Sequence, residues 1–102
     1  MFNYLIKIEY VGTNFVGWQS QKNGKSIQDS VEKALTKVLK SQIRVIGSGR
    51  TDKGVHALSQ YANFKSKIKI NEKKIFLNSV NFFLKKKDIS ILDIKTKKKD
   101  FH

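Results

Sequence analysis

The sequence predicts an α+β domain: one antiparallel sheet with two helices on a single face, in the split βαβ sandwich arrangement. Three observations predict it. A strict apolar alternation opens the chain, a capped amphipathic helix follows it, and the remainder repeats the theme in the order strand, strand, helix, strand.

Tyr4, Ile6, Ile8 and Tyr10 alternate with Leu5, Lys7 and Glu9, which is the period-2 pattern of a strand with one apolar face. Gly12 and the region of Asn14 end it, and Asn23-Gly24 marks a turn. Ser26 with Asp29 three residues on is an acidic form of the helix N-terminal capping signal. Behind it Ile27, Val31, Ala34, Leu35, Val38 and Leu39 fall on one helical stripe, and Glu32, Lys33, Lys37 and Lys40 fall outside it. Residues 43–46 form a short β-branched strand and residues 55–64 a longer one. By parity Tyr61 and Phe64 point to opposite faces of that strand. A second helix is predicted over 71–84, carrying Ile75, Phe76, Val80, Phe83 and Leu84, and a last strand over 89–94. The expected architecture is the ferredoxin-like βαββαβ sandwich.

At 102 residues the chain is one domain, large enough for a modest core. It has no cysteine, so a disulfide framework, a thiolate metal site and a cysteine nucleophile are excluded, and a reducing, cytoplasmic setting is expected. No stretch has the length and apolarity of a signal peptide or a membrane span, so no membrane partner is expected. Twenty-one Lys and Arg against eight Asp and Glu give a net charge of +13, an imbalance that draws polyanions such as RNA. Only Arg44 and Arg50 are arginine, and proline is absent, so an AT-rich genome also accounts for part of the bias.

The chemistry-bearing segment is the run from Gly47-Ser48-Gly49-Arg50-Thr51-Asp52-Lys53-Gly54-Val55-His56-Ala57 to Phe64. On an extended backbone Arg50 and Asp52 share a side, about 7 Å apart, with Thr51 between them on the other. A guanidinium so close favours the ionised carboxylate and keeps Asp52 available as a nucleophile or base. Gly47, Gly49 and Gly54 leave room for a phosphate or ribose to approach main-chain N–H groups. The same residues also describe a surface ion pair beside a tight turn, and neither the Walker nor the Rossmann glycine spacing is present. His56, one of two histidines, is a structural hydrogen-bonding group or an RNA contact; the sequence lacks enough ligands for zinc, and no metal site is expected.

A second segment, from Tyr10 to Gln19, sets Phe15 and Trp18 among Gly12 and Gly17 directly after the first strand. Rings beside small residues suit base stacking, but for Phe15 and Trp18 individually core packing is the favoured reading.

Together these stretches resemble the TruA-type tRNA pseudouridine synthases. The segment G-R-T-D-K-G-V-H-A at 49–57 is similar to the family's active-site motif, and Tyr10 to Gln19 is similar to its Y-x-G-x-x-F-x-G-W-Q element. Ser26-Ile27-Gln28 resembles the start of its first helix and Leu77-Asn78-Ser79 a turn of its second. The resemblance implies isomerisation of uridine to pseudouridine in the anticodon stem-loop of tRNA, without a cofactor. It implies Asp52 as catalytic aspartate assisted by Arg50, and RNA contacts from Gly49, Thr51, Lys53, Gly54, His56, Phe15, Trp18 and Gln19. Two departures accompany it: lysine stands near Leu84-Lys85 where the family commonly has proline, and family members are more than twice this long. The expectation is therefore an N-terminal catalytic half-domain over 1–102. Its partners would be tRNA and either the absent C-terminal half or a second copy. The alternatives are a non-catalytic RNA-binding module of the same fold, and an interaction half-domain with an exposed sheet edge.

Overall fold

The computed structural model describes residues 1–10, 26–50 and 58–97, with residues 48–50 and 58 described in their backbone only. Strand β1 (Phe2–Tyr10) is followed by helix α1 (Ile27–Leu39), strands β2 (Val45–Arg50) and β3 (Leu58–Ser66), helix α2 (Lys73–Leu84) and strand β4 (Ile89–Lys97). The four strands make one antiparallel sheet in the order β2-β3-β1-β4. This is the predicted split sandwich: β1 and β2 run parallel with β3 between them, and both helices lie against one face. The breaks expected at Gly12, Asn14 and Asn23-Gly24 lie outside the described residues.

Alternation along β1 builds the floor of the core. Tyr4, Ile6, Ile8 and Tyr10 are buried under the helices beside Ala62 and Phe64 of β3 and Ile89, Ile91 and Ile94 of β4. Across β1 and β3 the Tyr4 and Phe64 rings meet at 5.5 Å, and the Tyr4 hydroxyl accepts the Ile70 N–H at 2.7 Å, which fixes the approach to α2.

Helix α1 starts as its capping signal predicts. The Ser26 side chain accepts the Asp29 N–H at 3.1 Å, and Ile27, Val31, Ala34, Leu35 and Leu39 are buried, with Val38 packed at the margin. It ends at Lys40 in the left-handed region, φ 56°, whose N–H returns to the Thr36 carbonyl at 2.8 Å.

Helix α2 departs from expectation. It begins at Lys73, two residues later than predicted, and buries only the row Phe76, Val80 and Leu84, with Leu77 beside it. Ile75 is 63% exposed and Phe83 is largely exposed too. A helix resting on a four-stranded sheet and touching one other helix buries a narrow stripe, and residues flanking i, i+4, i+8 fall outside it. Lys37 stands over the Phe83 ring at 5.2 Å. After α2, Lys85–Lys87 form a 3₁₀ turn closed by Asp88 at φ 59°.

Strand boundaries differ for a related reason. Strand β2 runs over 45–50 rather than 43–46, because pairing of Gly47, Gly49 and Arg50 with β3 carries the strand on despite the low strand propensity of glycine. Strand β4 runs past residue 94 to Lys97 by pairing with β1, which also pairs β3 along its whole length.

Both outer strands are tied back to the helices. On β2 the Val45 N–H donates to Glu32 Oε2 at 2.8 Å, and Gln28 Nε2 donates to the Val45 carbonyl at 3.0 Å. On β4 the Ile91 N–H donates to Asn81 Oδ1 at 2.7 Å, and Asn81 Nδ2 donates to the Ile91 carbonyl at 3.0 Å. Asn81→Ala removes both of the latter bonds and should cost about 1–3 kcal/mol. Urea denaturation followed by circular dichroism measures it; a loss below a few tenths would show that water replaces the amide without penalty.

Candidate functional site

The two strands that flank the acidic loop are neighbours. Arg50 at the end of β2 pairs with Gln60 of β3, so residues 51–57 link adjacent antiparallel strands. Tyr10, the last residue of β1, pairs with Leu58, the first of β3. The aromatic segment and the acidic segment therefore depart from three adjoining strands at one end of the sheet. Sequence separation hides this proximity, and the register supplies it.

Within β2 the pairing slips between Gly47 and Gly49: Gly47 faces Ala62 and Gly49 faces Tyr61, leaving Ser48 as the extra residue. Such a bulge increases the local twist of β2 just before its last residues, Gly49 and Arg50.

Of the residues singled out from the sequence, Gly49 and Arg50 are placed by backbone pairing in β2. Phe15, Trp18, Gln19, Thr51, Asp52, Lys53, Gly54 and His56 lie outside the described residues. Tyr10, which opens the aromatic element, is a core residue. The parity argument for β3 agrees with the structure, in which Phe64 is buried and Tyr61 is 36% exposed on the opposite face.

Two residues near this end carry signals that motif reading passes over. Gln60 is a polar residue in the helix-facing row Gln60, Ala62, Phe64, and it is buried, with its Nε2 donating to the Tyr61 carbonyl at 3.1 Å. Its position opposite Arg50 puts a carboxamide at the root of the loop. Tyr61 is the other: a large ring directed away from the helices, with Lys7 Nζ 5.9 Å from its centroid. Among the described residues no three His, Asp or Glu side chains gather as a metal site, and no helix is long and apolar enough to cross a membrane.

Fold and register together define a ferredoxin-like α+β domain in which Arg50 ends β2 beside the start of β3. A family profile described as tRNA pseudouridine synthase matches residues 6–101. The chain is 51% identical to the tRNA pseudouridine synthase A of Pelagibacter ubique, over all of this chain and 42% of that protein. It is 48% identical to its counterpart in Caldicellulosiruptor saccharolyticus, over 99% of this chain and 41% of that protein. With the one from Aquifex aeolicus it shares 41% identity, over 100% of this chain and 42% of that protein. The chain belongs to the tRNA pseudouridine synthase family. It spans about two-fifths of the length of these curated relatives.

Proposed function

We propose that this chain is the aspartate-bearing part of a cytoplasmic enzyme that isomerises uridine to pseudouridine in the anticodon stem-loop of tRNA. The observation that carries the reading is identity of about half the residues to a tRNA pseudouridine synthase A along the whole chain.

The reaction gains and loses no atoms. The bond from the ribose C1′ to uracil N1 breaks, a bond from C1′ to C5 forms, C5 gives up its proton and N1 acquires one. In this reading Asp52 adds to the nucleotide to release the base, which turns and rejoins through carbon. Arg50, two residues away, holds the carboxylate ionised and meets the RNA. The target base must leave its stack, at a cost of a few kcal/mol that contacts from the cations and rings of the chain offset. No cofactor or metal enters this scheme.

The remaining part of the relatives' length would complete the cleft around Asp52. Joining this chain to the part of the Pelagibacter ubique relative beyond the matched region supplies that complement. Incubated with tRNA transcripts, the fusion should form pseudouridine in the anticodon arm. A fusion that folds and forms none, while the relative does, would refute the proposal.

A further inference from the structure

The sheet face opposite the helices carries a second set of RNA-directed groups. No described helix packs on it: Ile46 and Lys65 are exposed and Leu5 and Lys7 half-buried, while Asn3, near its far end, is buried. Register orders its residues into rows across the strands. Lys97, Asn3 and Lys65 form one row, Lys95, Leu5, Asn63 and Ile46 the next, and Asp93, Lys7, Tyr61 and Gly49 a third. Lys7, Lys65, Lys95 and Lys97 outnumber the acids of this face, Glu9 and Asp93, so its field attracts a polyanion.

The third row has the form of a stacking site. Lys7 approaches the Tyr61 ring from β1 at 5.9 Å, while Gly49, the partner of Tyr61 on β2, presents no side chain against it. The ring lies three residues along β3 from Leu58, about 10 Å from the end where residues 51–57 join the sheet. Beginning in the next row, a groove of about 380 Å³ is lined by Arg44, Ile46, Asn63 and Lys65, two of them cations. An aromatic platform followed by cations along one face is the arrangement that holds single-stranded nucleic acid, the ring taking a base and the cations its phosphates.

We propose that Tyr61 stacks an unpaired base of the RNA beside the residue undergoing reaction, with Arg44 and Lys65 holding the phosphates of the same strand. This rests on the reading of the chain as an RNA-modifying enzyme and adds a subsite to it.

The test uses the 102-residue chain and two labelled probes, an anticodon stem-loop RNA and a fully paired duplex of the same length. Tyr61→Ala should weaken stem-loop binding about tenfold, the order expected for loss of one base–aromatic stack, and leave duplex binding within about twofold. Tyr61→Phe should bind like the parent. Lys65→Gln should reduce the steepness of the log affinity against log salt plot by about 0.7, one phosphate contact on a single strand. Circular dichroism of each variant checks that the fold is intact.

Stem-loop affinity unchanged by Tyr61→Ala would overturn the platform and leave a covering polypeptide as the occupant of this face. Equal losses from Phe and Ala, or a parent chain that binds no RNA, would overturn it as well. The functional reading is judged separately. An active fusion indifferent to Tyr61 removes only the platform, whereas an inactive fusion whose parent chain binds RNA through Tyr61 removes only the isomerase.

Discussion

Asp52→Asn in the fusion protein should reduce pseudouridine formation by at least about a thousandfold, with tRNA affinity held within a few-fold. The substitution keeps the volume and removes the charge, so it should spare most RNA contacts while deleting the group proposed to add to the nucleotide. Loss of a nucleophile typically leaves only what binding and orientation supply, several orders of magnitude below the parent. Because the reaction expels the proton at C5, tritium release from tRNA carrying 5-labelled uridine measures turnover directly. Binding is read in parallel by filter retention. Full activity in the variant would exclude Asp52 as nucleophile. Activity absent from both parent and variant, with RNA binding preserved, would favour a non-catalytic RNA-binding module.

Phe64→Ala should be the most damaging single change to stability, costing about 3–5 kcal/mol. Phe64 is 2% exposed, sits on the strand shared by both halves of the sheet, pairs with Tyr4 and Val45, and stacks on the Tyr4 ring. Removing it opens a cavity between sheet and helices that the paired strands have little freedom to collapse. Domains of this size have total stabilities on the order of 5–15 kcal/mol, so the variant should melt roughly 15–30 °C lower. Phe64→Leu should keep much of that loss back, since it retains most of the volume. Thermal unfolding followed at 222 nm decides the matter, and a decrease of only a degree or two would mean that Phe64 does not anchor the core. Strand β3 also carries the loop through its pairing with Arg50, so the effect on activity should exceed the effect on fold near the melting temperature.

Much of this architecture is written locally. Alternation at Tyr4, Ile6, Ile8 and Tyr10 and the capped stripe from Ser26 to Leu39 each point to their element without help from the rest of the chain. Where local reading fell short, a distant partner decides. Gly47 and Gly49 extend because β3 is alongside, and Ile75 and Phe83 stay outside because α2 buries only the narrow row Phe76, Val80 and Leu84. The site divides in the same way. Its Asp52-bearing motif is recognisable from nine contiguous residues, whereas the open-face row joins Lys7 to Gly49 and Tyr61, more than forty residues away, and exists only once the register is set.

The helix side chains that hold Val45 and Ile91 have a consequence for how this small domain survives in a crowded, concentrated solution. A sheet with two outer strands invites recruitment of further strands from neighbouring copies, the first step toward fibrous aggregates. At Val45 and Ile91 the outward amide and carbonyl are already engaged, so an incoming strand would have to displace a carboxylate and a carboxamide along β2, or a carboxamide along β4. Gln28, Glu32 and Asn81 thus act as stops on intermolecular templating, and their loss should show as a lower concentration threshold for precipitation before it shows as any change in chemistry.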